Sequence, residues 1–220
     1  MSFRRRRFVE SVEAFHHRSF EPDGRELWIP ELDDHRTLVL GSSQDASTVD
    51  LARCAERGVE VARRRTGGGA VLVSVDDLVW FDLIIGRDDP LWTDDVGRAF
   101  EWVGVACAAT LREFGVETEM HTGRHLTTAH SPSICFAGLG AGELTTEGRK
   151  LVGISQRRTR THARFQVALL RRWSGPDHAD LLTLSASDRD AAAAELDRAA
   201  VGVAVDHEVF LDRLARSLPA

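Results

Sequence analysis

The chain has 220 residues, 43% of them hydrophobic and 28% charged, with a formal net charge of -6 and a pI near 5.8. That composition belongs to a soluble globular protein able to bury one substantial core, and its acidity excludes global attraction to nucleic acid or anionic membrane. No apolar run approaches the roughly 20 residues of a membrane span, and three scattered cysteines (Cys54, Cys107 and Cys135) form no disulfide framework, so the cytosol is the expected compartment.

The opening MSFRRRRFVESVEAF has a basic run without an apolar segment behind it, which is not a secretory signal. Arg4 to Arg7 therefore read as a solvated terminal segment. Residues 25–30 (RELWIP) and 37–41 (TLVLG) read as short strands and 48–57 as a helix. VEVARRR (59–65) reads as a strand entering TGGG, followed by strands 70–75 and 78–85 joined at Asp76 and Asp77. Over 94–114, Val96, Phe100, Val103, Cys107, Leu111 and Phe114 recur at three- and four-residue steps, which predicts a helix closed by Gly115. Cys107, and Cys54 on the earlier helix, are expected in the core. Residues 121–142 form a long loop rich in Gly, Ser, Thr, Pro and His, the kind that is either functional or disordered. A hairpin follows, strand 143–147 turning at Gly148 into strand 150–156, then a strand over 163–173 and a helical tail from 177. The sum is one α+β domain over 1–220, a mostly antiparallel β-sheet core flanked by helices.

Two stretches carry chemistry. In RRRTGGGAV, three glycines after a strand let backbone approach a ligand and present its N–H groups, while Arg63, Arg64 or Arg65 offers a guanidinium fork. The stretch matches neither the P-loop nor the dinucleotide fingerprint, and a glycine-rich hairpin turn is the plain alternative. In EGRKLVGISQ stands Lys150, the single lysine among 28 basic residues. A compact ammonium at that one position, in a chain that otherwise uses arginine, points to chemistry that a planar guanidinium would serve less well.

Together these stretches resemble the lipoate–protein ligase and octanoyltransferase family, within the biotin/lipoate ligase superfamily. RRRTGGGAV is similar to its RR-x-[ST]-GGG-A-V motif and GRKLVGISQRR to its G-x-K-[IV]-x-G-x-[AS]-Q motif. CFAGLGAGEL lies where the family carries a Cys-Phe loop, and LVLGSSQ resembles its early G-x-x-Q strand end. The resemblance implies attachment of a lipoyl or octanoyl group to a carrier-domain lysine. The expected route makes an acyl-adenylate from ATP and Mg²⁺; the alternative is an ATP-independent octanoyl transfer through a Cys135 thioester. By the same resemblance Lys150 and Cys135 are the candidate catalytic residues, and Arg64, Thr66, Gly67, Gly68, Gly69, Ala70, Gly153 and Gln156 the substrate-binding ones. Lipoate or octanoate is the implied acyl substrate. Lipoyl carrier domains or the glycine cleavage H protein are the implied partners, with no nucleic acid and no membrane. No C-terminal accessory domain is expected within the chain, so adenylation would need a separate accessory subunit.

Val71, Trp80 and Leu83 are candidates for an apolar tunnel, and Arg157, Arg158 and Arg160 for a docking patch. The chain departs from the family pattern at Val73 and Ser74, where the family has a histidine and an acidic pair, and at Val167 and Ala168 in place of His-Gly. Those apolar replacements also motivate a non-catalytic acyl- or nucleotide-binding module. A metal site built from His121, His125, His130 and Cys135 is a further alternative, though it lacks a known zinc spacing.

Overall fold

In a computed structural model that describes residues 2–220, the apolar runs pair into two sheets. In chain order the elements are β1 (Arg4–Phe8), α1 (Val12–His17), β2 (Glu26–Pro30), β3 (Arg36–Leu40), α2 (Leu51–Glu56), β4 (Val59–Arg63), β5 (Val71–Val73) and β6 (Leu78–Gly86). There follow α3 (Glu101–Arg112), β7 (Glu119–Met120), β8 (Leu144–Thr146), β9 (Arg149–Arg158), β10 (His162–Leu170), α4 (Gly175–Asp180), α5 (Ala186–Ala199) and α6 (His207–Ser217). The large sheet runs β1-β2-β6-β10-β9-β8-β7 and the small one β4-β3-β5. Of the strand pairs among the described residues, β1–β2 and β3–β4 are parallel and the rest antiparallel, so the fold is the expected α+β arrangement with a mostly antiparallel sheet.

Alternation along the strands gives the large sheet two apolar faces. Leu27, Val79, Phe81, Leu83, Phe165 and Val167 pack with Val103, Cys107, Leu111, Phe210 and Leu214 of α3 and α6. Burial pushes the Cys107 thiol up to about 12, as befits an inert core cysteine. Trp28, Trp80 and Ile84 point the other way, toward Val39 and Val73 of the small sheet. Leu83 is therefore core on the helix side, not tunnel wall: it stands at odd spacing from Trp80, and period-two alternation sends it to the opposite face.

Two expectations change, and one element is new. Arg4 to Arg7 are solvated, as expected, but are not a loose tail; they form the edge strand β1. Arg4 and Arg6 pair with the buried carboxylate of Glu26, while Arg5 and Arg7 reach Glu208, with Asp212 also bound by Arg5. The long helix is shorter at its start. Asp95 accepts from the backbone N–H groups of Gly97 and Arg98, a single 3₁₀ turn spans Arg98–Phe100, and Val96 stays exposed. Finally, α1 is a helix of six residues capped by Ser11, too short to show a period; it is held by burial of Phe15 and His16.

Candidate active site

The triple-glycine turn follows β4 and lies between the two sheets. Gly68 sits at φ +96°, in the left-handed region that favours glycine. A Cβ on Gly69 would stand 2.6 Å from the backbone nitrogen of Ile134, so the turn and the 121–142 loop press backbone to backbone. Two hydrogen bonds lace that contact: Ala70 N–H donates to Ser133 O at 2.7 Å, and Cys135 N–H donates to Ala70 O at 2.9 Å. A Cβ on Gly41 would collide with the Gly68 carbonyl, which explains the glycine closing LVLG.

Arg64, only 5% exposed, clasps this turn. Its Nη2 donates to Gly67 O and Gly69 O at 2.8 Å each, its Nη1 donates to Val39 O at 3.3 Å, and its Nε is buried without a partner. No carboxylate pairs with it among the described residues, so the guanidinium brings uncompensated positive charge to the site.

Lys150 opens β9 and is 3% exposed. Its ammonium donates to Glu143 Oε2 at 2.6 Å, Gly138 O at 2.9 Å and Cys135 O at 3.2 Å, and lies 5.0 Å from the Phe136 ring centre. An ammonium has three donors, and all three are taken. Glu143, 4% exposed, is fixed in turn by the backbone N–H groups of Gly140 and Ile154. Glu143 went unnoticed in the sequence: its only signal was a lone acidic residue in GAGEL, seven positions before the lysine. The structure thus explains why this basic residue is a lysine: three acceptors converge on one compact charge. To serve a ligand, Lys150 must exchange one of them, and the Cys135 carbonyl is the longest contact.

Cys135 starts a 3₁₀ turn, Cys135–Ala137, at the end of the long loop. It is half-buried, and its Sγ lies 3.8 Å from where a Gly68 Cβ would stand. The contact between Cys135 and Lys150 runs through the Cys135 carbonyl rather than its thiol.

Cys135, Arg64 and Gly153 line a slot whose apolar walls include Val39, Val71, Val73 and Trp80. Its volume is about 50 Å³, room for a few waters at roughly 10–15 Å³ each, so an extended chain requires the walls to part. Thr66 is buried at its polar side, where Ser155 Oγ donates to Thr66 and Thr66 Oγ1 donates to Gln166 Oε1. The structure does not bring Gln156 to this slot. Ser155 faces it, so Gln156 projects to the other side of β9 and accepts from Arg158. His121, His125 and His130 do not gather with Cys135: His121 bonds the Arg124 carbonyl and His130 pairs with Glu195. Among the described residues no group of three or more His, Cys, Asp or Glu could hold a metal ion.

Two buried histidines make stability pH-dependent. Burial, reinforced by the charges of Arg64 and Arg164, holds His16 well below its ordinary value of 6.5. Burial likewise pushes His178 down. As pH falls from about 7 to 5, the unfolded chain takes up protons that the folded chain refuses, so stability is lost in that window. The urea midpoint is expected to fall between pH 7 and 5, and a flat midpoint would contradict neutral burial of both rings.

Comparison with known proteins supplies a family. Residues 12–211 match the model of the lipoyl protein ligase A/B catalytic domain. The octanoyltransferase LipM of Moorella thermoacetica is 37% identical over 124 residues, covering 56% of this chain and 45% of that protein. LipM of Carboxydothermus hydrogenoformans is 33% identical over 121 residues, covering 54% and 44%. The aligned region therefore spans less than half the length of these relatives. Among solved structures, a bipartite lipoate protein ligase of Thermoplasma acidophilum superposes with TM-score 0.77 over 99% of this chain and 82% of that one, at 20% identity. A lipoate-protein ligase A bound with ATP gives 0.69 over 99% and 84%, also at 20% identity. These two likenesses are of fold.

Proposed function

Because the chain belongs to the lipoyl protein ligase A/B catalytic domain family, we propose that it transfers a medium-chain acyl group, octanoyl, to a carrier-domain lysine through a thioester on Cys135. The observation that carries this reading is the position of Cys135, on the slot wall beside Gly68 and next to the clasped turn of Arg64. The relatives named octanoyltransferases agree with it.

In the first step the Cys135 sulfur adds to the carbonyl carbon of an octanoyl thioester. The donor's C–S bond breaks, and the donor thiol leaves with the proton given up by Cys135. In the second step the amine of an acceptor lysine adds to the same carbon and the bond to Cys135 Sγ breaks. The amide remains on the carrier, and the amine proton returns to sulfur. Arg64 and Lys150 supply positive charge where the carbonyl oxygen becomes negative, each such contact worth a few kcal/mol. Lys150 reaches that oxygen by giving up the Cys135 carbonyl.

Val73 and Ser74 follow the glycine turn, Val167 and Ala168 line the slot, and no carboxylate is among the residues lining it. Apolar side chains at these positions favour the ATP-independent route. At the end of β9, Arg157 and Arg160 have no carboxylate partner among the described residues, and they offer a basic rim to an acidic carrier.

The test is incubation with an apo carrier domain and octanoyl-carrier, without ATP, read by intact mass. An octanoyl gain on the acceptor is expected. A gain only from free acid with ATP would replace this reading by the adenylate route, and no gain under either condition would leave an acyl-binding module.

A further inference from the structure

His16 is the one titratable group on the slot wall to which no family motif assigns a role. It reaches the slot because α1 is pinned there. The buried guanidinium of Arg164 pairs with Asp82 and donates to the carbonyls of Phe15 and Arg18 at the end of α1, at 2.9 and 3.2 Å. The His16 ring stacks on Trp80, 4.6 Å between centres and 28° between planes. Its orientation follows from Gln166. That amide takes a hydrogen bond from Thr66 on its oxygen, so its nitrogen faces Asp82 and His16, donating to His16 Nδ1 at 2.9 Å. Nδ1 is therefore the acceptor, and the neutral ring carries its hydrogen on Nε2. No protein group bonds Nε2 among the described residues, and the residue as a whole is buried. Nε2 is not among the buried atoms left without a partner, so it stays open at the slot and can turn its hydrogen to water or to a ligand.

The neighbours of His16 say what that ligand group is. His16 lines the same slot as Arg64 and Cys135, and Arg64 Nη2 and Cys135 Sγ lie 3.1 and 3.8 Å from the Gly68 Cβ position. We propose that His16 Nε2–H donates a hydrogen bond to the acyl carbonyl oxygen in the slot and holds it as charge develops there. This rests on the acyl-transfer reading above. The oxygen gains charge when sulfur or amine adds, and returns it when the leaving group departs; the His16 proton stays on nitrogen throughout. His16 then acts as a neutral electrophile beside the charged Arg64 and Lys150.

The test compares His16→Phe, which keeps an aromatic ring on Trp80 without a donor, with His16→Gln, which restores an N–H. Octanoyl transfer is followed over a range of donor concentrations, with thermal unfolding of each variant. The expected result is a fall of about 100-fold in kcat for His16→Phe at nearly unchanged KM, with His16→Gln recovering at least tenfold of it. Full kcat in a folded His16→Phe overturns the proposal, as does an equal loss in both variants. Should His16→Phe not fold, His16→Gln decides alone: kcat within tenfold of the parent supports the proposal and a 100-fold loss overturns it. A parent chain that transfers nothing defeats the acyl-transfer reading itself and this role with it. That outcome is distinct from an active parent with an indifferent His16.

Discussion

Replacing Lys150 by alanine is expected to abolish transfer and to lower stability by about 3–5 kcal/mol, the cost of leaving Glu143 buried without its counter-charge. The two side chains are 3% and 5% exposed and meet at 2.6 Å, so water cannot take over the pairing. The double variant Glu143→Ala, Lys150→Ala should be less destabilised than the sum of its singles, because both charges leave together. Lys150→Arg keeps the positive charge and is expected to fold. Its planar fork cannot meet three acceptors gathered around one nitrogen, so transfer is lost nonetheless. Chemical denaturation and intact mass check the two halves separately. Unchanged stability in Lys150→Ala, or full activity in Lys150→Arg, would remove the lysine from the centre of this site.

Cys135→Ala is expected to leave the fold within about 1 kcal/mol of the parent, since the side chain is small and half-buried. Transfer from an octanoyl thioester should fall by roughly 10⁴-fold or more, as removal of a nucleophile does. The parent, but not the variant, should also show a transient octanoyl adduct on its own mass when the acceptor is withheld. Transfer at the parental rate in Cys135→Ala would mean that the amine attacks the donor thioester directly. In that case Cys135 would serve only as wall, and Lys150 would act on a ternary complex.

Much of this was legible in the residues. Strand periodicity and turn glycines locate most of the sheet, and the motifs point to the triple-glycine turn, Lys150 and Cys135; the fold puts Arg64 and Cys135 on one slot and ties Lys150 to it through the Cys135 carbonyl. Glu143, His16 and Gln166 were not legible. Each is a single polar residue in a segment whose pattern says only loop, short helix or strand, and each acquires meaning through a partner distant in sequence: Gln166 is 150 positions from His16. Gln156 was read by motif as a ligand contact, but alternation along β9 turns it away. Leu83 fails for the same reason on β6. The basic run Arg4 to Arg7 is exposed as read, but its pairing was not legible because its carboxylates, Glu26, Glu208 and Asp212, lie about 20 to 200 positions away.

By itself the sequence determined where backbone must come close and which charge must be compact. Both are local properties: glycines permit approach wherever they stand, and a single lysine among arginines marks its own position. Only the tertiary structure decided what those groups face. It closed three acceptors around Lys150, folded Arg64 back onto its own turn, and set a neutral histidine on the slot from a helix too short to announce itself. Those outcomes depend on long-range packing of two sheets, whose contacts no local pattern encodes.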